Sequence, residues 1–543
     1  MSNGLFNLER PQNELTLDYR PGSVEREVLK KQLAKMKETE IEIPLIIGGK
    51  EVRTGRTGKC IVPHDKNHVL ATYHKAGEKE VEAAIEAALK AKQEWENMPW
   101  EHRLSIFLKA ADMISGPWRP VINAATMLNQ SKTVHQSEID AACEVIDYLK
   151  FNSYYMTGLY KEQPVPSSDA WNRIEYRPLE GFVFAVTPFN FTAIACNLIS
   201  SPALLGNVVL WKPASSAIYS GYYLMKILQA AGLPGGVINF LPGSGSQVGT
   251  PAMNSDWLAG IHFTGSNDVF NGMWETVASN VRKYRTYPRM VGETGGKDFA
   301  FVHESADLES TVTAIIRGAF EYQGQKCSAT SRAYIPESLW PKIKDRLLSE
   351  MSSVKMGDVE DFTNFMSAVI DQAAFDSIKA YIDYARNSSE ARIIYGGGCD
   401  DSRGFFIEPT VILTTNPKFK TMEEEIFGPV LTVYIYKDSE LDEALRLCDE
   451  TSPYGLTGSI FTTDRKAIVE MEKRLRHAAG NFYINNKTTG AVVGQQPFGG
   501  SRGSGTNDKA GSKVNLLKWT SIRTISETFV PPTDYRYPFM AEK

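Results

Sequence analysis

The sequence of 543 residues holds no run of the ~18 consecutive apolar residues that a membrane-crossing helix needs. Its most apolar stretch, residues 194–210, is broken by Asn197, Ser200, Ser201, Pro202 and Asn207. No membrane partner is expected. Cysteine is scarce: Cys60, Cys143, Cys196, Cys327, Cys399 and Cys448 lie far apart and form no C-x-x-C pair, so no disulfide framework is written locally. Excess positive charge is also missing. With 59 Lys and Arg against 64 Asp and Glu, the formal net charge is −5, which gives no whole-chain field for nucleic acid. Residues 1–40 lack an apolar signal core and carry Glu9, Glu14, Asp18 and Glu25, unlike an acid-poor transit peptide, so a cytoplasmic location is expected. Tandem repeats and low-complexity tracts are absent as well. What remains is ordinary globular composition, 42% hydrophobic and 23% charged, and the expected partner is a small molecule.

Apolar residues recur at helical spacing over Ser23–Thr39 and Glu78–Trp95. A different rhythm begins at Glu180. Short apolar runs, Phe182–Val186, Val208–Trp211, Val237–Leu241 and Ile261–Phe263, alternate with helix-like segments at 193–205, 216–231, 246–254 and 268–279, the signature of a parallel, doubly wound α/β sheet. Each run ends in turn chemistry, at the edge where open α/β sheets bind ligands. No G-x-G-x-x-G follows the first run, so the usual dinucleotide fingerprint is missing. A second α/β block follows, with strands expected at 299–302, 333–335, 392–395, 430–436, 458–461 and 482–484 and a helix over Leu308–Tyr322. The glycine-rich segment Gly494–Gly505 has loop composition and reads equally well as a linker.

Cys327 follows a predicted helix in a turn-rich, polar setting, Gly324-Gln-Lys-Cys-Ser-Ala329, that none of the other cysteines shares. A thiolate nucleophile requires such access and polarity. Glu293, in Gly292-Glu-Thr-Gly-Gly-Lys-Asp298, stands beside glycines that let substrate approach closely, as suits a general base. Asn190 lies at the ligand edge of the first sheet, where an amide caps the next helix or donates to an oxyanion. Cys60, His64 and His68 form a C-x-x-x-H-x-x-x-H string, but Pro63 and turn formers argue against the helix that would align them, and a closed zinc site needs a fourth ligand. No metal is expected.

The ordered series Thr187-Pro-Phe-Asn190, Leu210-Trp-Lys-Pro213, Phe263-Thr-Gly-Ser266, Glu293-Thr-Gly-Gly-Lys297, Gly324-Gln-Lys-Cys327, Glu424-Glu-Ile-Phe-Gly-Pro429 and Pro497-Phe-Gly-Gly500 resembles the motifs of the aldehyde dehydrogenase superfamily. The resemblance runs from about Leu45 to Phe529 and implies a Rossmann-type cofactor domain, an α/β catalytic domain and a small β oligomerisation flap. It implies residues 1–157 and 181–289 for the NAD-binding domain, 290–493 for the catalytic domain, 494–511 for an anchor loop with the return to the cofactor domain, and 158–180 with 512–543 for the flap. Cys327 would be the nucleophile, Asn190 and the Cys327 N–H the oxyanion donors, and Glu293 the base for the hydrolytic water. Thr187, Pro188, Lys212, Ser215, Gly243, Gly265, Ser266, Glu425 and Phe427 would bind NAD. Many NAD-preferring relatives carry Glu where this chain has Ser215, which leaves NADP open.

Three stretches, Met290-Val-Gly-Glu-Thr-Gly-Gly-Lys-Asp-Phe299, Thr489–Gly500 and Ser504-Gly-Thr-Asn-Asp-Lys509, resemble the branch that oxidises L-glutamate 5-semialdehyde in proline catabolism. By that resemblance Gly490, Ala491 and Ser328 bind the substrate carboxylate with Lys326 nearby, while Phe191 and Phe498 wall its chain. Glu144 faces this pocket in relatives, against the plainer reading of a helix-surface carboxylate. A homodimer or higher homo-oligomer is expected, with transient contact to a proline dehydrogenase, and in a eukaryote the mitochondrial matrix would replace the cytoplasm. Another semialdehyde such as succinate semialdehyde is the alternative substrate. A cysteine-dependent hydrolase or acyltransferase is the alternative class, and NAD reduction separates it.

Overall fold

The protein is described from a computed structural model covering residues 6–542. Its first sheet has strand order 289–293, 258–264, 182–186, 208–212, 238–240, 45–47, 50–52. The strands are parallel except 45–47, which pairs antiparallel with both 238–240 and the edge strand 50–52. Phe182, Val183, Leu210, Trp211 and Ile261 are fully or almost fully buried, as near-continuous apolar strands covered by helices on both faces must be. Helices Thr192–Leu204, Ile218–Ala231, Gly245–Asn254 and Asn267–Asn280 supply the connections, close to their expected places.

Strand Arg289–Glu293 pairs with Leu258–Thr264, so the chain leaves the first sheet after Glu293 rather than at residue 289. The second sheet has order 391–395, 410–414, 430–436, 330–336, 298–302, 457–461, 481–484, and only its first strand is antiparallel. Phe299 and Phe301 feed one apolar core and Ala300 and Val302 the other, the alternation a strand imposes on its two faces.

The flap is one antiparallel pair, Ala170–Pro178 against Thr520–Thr528, in register from Thr528↔Ala170 to Thr520↔Pro178. The flanks expected with it are helical: 158–160 end the helix Val145–Tyr160, and Lys513–Lys518 forms its own helix. The Cys60–His68 string lies on a hairpin, Thr57–Val62 with Asp65–His74. His64 Nδ1 meets Ser131 Oγ at 2.8 Å and His68 Nε2 meets the Lys37 carbonyl at 2.9 Å, so the two rings serve separate neighbours. Gly494–Gly505 is no free linker: Gly505 bridges Glu293 in the first sheet, and Ser501–Arg502 pairs with Tyr454–Gly455. At φ +128°, Gly505 lies so close to the Gly292 carbonyl that a Cβ would collide with it.

Candidate active site

A cavity of about 380 Å³ gathers Cys327, Glu293, Phe191, Lys326, Ser328, Gly490, Ala491 and Phe498 on its walls. These residues come from distant parts of the chain. Cys327 is placed by an abrupt stop: helix Leu308–Phe320 ends two residues before the expected Tyr322, and a tight turn, Glu321–Gly324, follows. Tyr322 and Gln323 hold φ of +50° and +56° there, a costly left-handed region for residues with a Cβ.

Access to Cys327 is less than its polar sequence surroundings suggest, because the residue is only 9% exposed. Its carbonyl packs against Gly296, where no Cβ would fit. Burial pushes the thiol well above its ordinary range, and the nearby carboxyls of Asp298, Glu425 and Glu293 add to this. The thiol is therefore protonated at neutral pH, and its proton must leave before the sulfur attacks. Glu293 closes its strand opposite Thr264, with Oε2 accepting from the Gly500 N–H at 3.4 Å. Burial raises its carboxyl well above the carboxylate range, while the Gly500 N–H and Lys509 oppose that rise.

Asn190 is buried, and its Nδ2 donates to the Gln325 carbonyl at 3.1 Å. It does not cap the next helix. Asp140 does so instead, accepting from Thr192 N at 3.0 Å and Ala193 N at 2.8 Å. Asn190 thus lies on the segment that leads to Cys327, and its second N–H has no partner among the described residues.

Ser328 Oγ donates to Thr489 Oγ1 at 2.9 Å, which ties the cysteine turn to the Gly490–Ala491 loop. Lys326 is already met by Glu321 at 3.1 Å, and Lys487 shares the same oxygen at 2.7 Å. Burial alone would raise Glu321, yet these ammoniums hold it at about 2. Glu144 is not a surface carboxylate. It lines the cavity at the end of a π-helical stretch, Glu138–Glu144, and burial beside Asp140 pushes it up to about 8. Sequence reasoning missed further wall residues. Cys143 lines the cavity, its thiol pushed up to about 12 by burial and Glu138. Asn13, Glu14 and Thr16 also line it, and Asn13 Nδ2 donates to the Val493 carbonyl at 2.7 Å. Residues 6–22 carry no periodic pattern that could have placed them there.

The residues expected to hold a dinucleotide gather at one sheet edge. Register Val186↔Lys212, Phe263↔Val186 and Trp211↔Phe240 aligns the strand ends that precede Thr187, Pro188, Gly243, Gly265 and Ser266. Lys212 is half-buried and no carboxylate pairs with it among the described residues, an ammonium left open to ligand hydroxyls. Ser215 is exposed at the start of the short turn Ser215–Ala217. Ser266 precedes helix Asn267–Asn280 without capping it by its side chain, so first-turn N–H groups stay free for an anion. From the second sheet, Glu425 Oε1 accepts from the Gly296 N–H at 2.9 Å, and burial raises its carboxyl to about 7. Phe427, at φ +56°, meets Phe189 edge-on at 5.7 Å. Gly296 thus touches both Glu425 and Cys327, joining the cofactor edge to the thiol.

Together, the doubly wound sheet, the cysteine in its glycine-lined turn and the buried carboxylate have the parts of a cysteine-dependent enzyme beside a nucleotide-type sheet edge. The sequence profile of the aldehyde dehydrogenase family matches residues 51–525, and the chain belongs to that family. It is 56% identical over 539 residues to the delta-1-pyrroline-5-carboxylate dehydrogenase, mitochondrial, of Dictyostelium discoideum, covering 99% of this chain and 97% of that one. The delta-pyrroline-5-carboxylate dehydrogenase of Mycobacterium tuberculosis, solved bound with NAD, superposes with a TM-score of 0.96 at 47% identity and covers 99% of this chain and 100% of that one. Proline utilization A (PutA) of Bdellovibrio bacteriovorus matches at TM-score 0.91 and 30% identity, covering 96% of this chain and 54% of that one.

Proposed function

We propose that this protein oxidises L-glutamate 5-semialdehyde, the open form of pyrroline-5-carboxylate, to L-glutamate with NAD, the second step of proline catabolism. One observation carries the reading: Cys327 and Glu293 share a single cavity with Ser328 and with Gly490 and Ala491, whose backbone N–H groups suit a small carboxylate. The Cys327 thiol gives its proton to water, its sulfur adds to the aldehyde carbon, and the free N–H of Asn190 with the Cys327 backbone N–H holds the oxyanion of the thiohemiacetal. Thr187, Pro188, Lys212, Ser215, Gly243, Gly265, Ser266, Glu425 and Phe427 would hold NAD. When bound, NAD supplies the hydride acceptor. Glu293 then takes a proton from the water that hydrolyses the Cys327 thioester, and glutamate leaves. Phe191 and Phe498 wall the aliphatic chain.

The flap supports assembly into a homodimer or higher homo-oligomer, because its strand pair stands out with Trp171 and Ile522 about half exposed. Transient contact with a proline dehydrogenase belongs to the same proposal. No helix among the described residues is long and apolar enough to cross a membrane. The mitochondrial names of relatives favour the matrix for a eukaryotic source and the cytoplasm otherwise. The test compares kcat/KM for glutamate semialdehyde, succinate semialdehyde and propanal with NAD and with NADP. Glutamate semialdehyde with NAD should give the highest value. Absence of NAD reduction with every aldehyde would return the site to the hydrolase or acyltransferase reading.

A further inference from the structure

The motif Ser504-Gly-Thr-Asn-Asp-Lys509 has no part in the chemistry above, yet it folds directly against Glu293. Thr294 N donates to the Ser504 carbonyl at 3.0 Å, Thr506 N to the Gly292 carbonyl at 2.9 Å, and Gly292 N to Thr506 Oγ1 at 3.0 Å. Asn507 and Lys509 both hold left-handed backbone, at φ +54° and +53°, conformations that persist only where the surroundings enforce them. Lys509 Nζ donates to the Gly480 carbonyl at 2.8 Å and the Gly499 carbonyl at 2.9 Å, with Asn481 Oδ1 at 3.4 Å. No carboxylate lies within ion-pair distance of it among the described residues.

The Gly499 carbonyl and the Gly500 N–H belong to one peptide unit. Its oxygen accepts from Lys509, and its N–H donates to Glu293 Oε2. A hypothetical Cβ on Gly499 would sit 3.0 Å from Glu293 Oε1 and 3.2 Å from Lys509 N, which shows how closely the three groups pack. A cation on the carbonyl end of a peptide polarises its N–H end, and in a low-dielectric site such chained hydrogen bonds strengthen one another.

We propose that Lys509 is the positioning residue of Glu293: it grips the Gly499–Gly500 peptide so that the N–H faces the carboxylate, and its unpaired charge steadies the anion that accepts the water proton. The inference rests on Glu293 being the hydrolytic base. Burial raises the Glu293 carboxyl, and Lys509 is the charged side chain that opposes this. The other titratable groups facing Glu293 are Asp508, Cys327 and Tyr148, and the charge of Asp508 is answered by Lys518 at 3.0 Å.

The test uses p-nitrophenyl acetate, which acylates Cys327 without a cofactor and without a substrate that cyclises. Its burst of p-nitrophenolate reports acylation, and the steady state reports hydrolysis of the acyl-enzyme. In Lys509→Met the burst amplitude should persist, while the acid limb of the steady-state pH profile should move up by about one unit, giving an about tenfold loss below that limb. Lys509→Arg, which keeps the charge, should restore the limb. Lys509→Gln keeps a donor for the Gly499 carbonyl but no charge, and it decides the matter if the Met variant does not fold. An unmoved limb in a neutral variant with an intact burst overturns the proposal, as does an Arg variant that behaves like Met. Glu293→Gln is the control: an unchanged steady state there removes Glu293 as the base, and the role of Lys509 with it.

Discussion

At the scale of single residues, Cys327 joins the nucleophilic role proposed for it to a resting state that is protonated and nearly buried. Its inactivation by iodoacetamide should accelerate about tenfold per pH unit between pH 6 and pH 9 with no plateau, because the thiolate fraction keeps rising while pH stays below the raised pKa. A plateau near neutrality would mean that the thiol is activated in the resting protein. Cys327→Ala should abolish aldehyde oxidation while NAD affinity stays within a few fold. The roles proposed for Cys327, Glu293 and Asn190 rest on motifs that are local in sequence. Their environments do not. Gly296 packs against the Cys327 carbonyl, and Glu293 is set first by burial, then by the Gly500 N–H and by Lys509, groups remote in sequence from the residues they act on. Glu144 was ambiguous for the same reason, since its cavity is built from other segments.

At the scale of elements, the strands were legible wherever both faces are buried, since Phe182–Val186 and Val208–Lys212 are almost unbroken apolar runs. Three features were hidden: the left-handed turn at Tyr322–Gln323, the π-helical stretch Glu138–Glu144, and the Asp140 cap on helix Thr192–Leu204. Each is set by tertiary partners rather than by propensity. Asp140 illustrates this, because it sits in the π-helical stretch, pairs with buried Lys132 at 2.6 Å and accepts from two N–H groups of the later helix. Removing it strands a buried cation and uncaps the helix. Asp140→Ala should cost about 3–5 kcal/mol, read from the urea midpoint at constant m-value. A change below ~1 kcal/mol would mean that Lys132 finds another partner.

At the scale of the whole molecule, the two sheets were foreseeable as successive α/β blocks, whereas their meeting was not. The boundary expected at residue 290 cut through the edge strand that carries Glu293, because the first sheet continues across it to deliver that carboxylate to the second. Assembly belongs to this scale too. If the flap holds the proposed homodimer together, Trp171→Glu combined with Ile522→Asp should give a monomer in sedimentation velocity with the far-UV spectrum unchanged. A wild-type monomer would remove the flap from that role.

The bond from Asn13 to the Val493 carbonyl joins positions 480 residues apart, and the cavity wall runs from Asn13 to Asn515. During synthesis the earliest wall residues emerge long before the last. A ribosome must deliver nearly the entire polypeptide before the pocket can close, so the nascent chain carries Cys327, the proposed nucleophile, without a finished enclosure. A chain stopped short of Val493 would therefore keep Cys327 but lack part of the cavity wall.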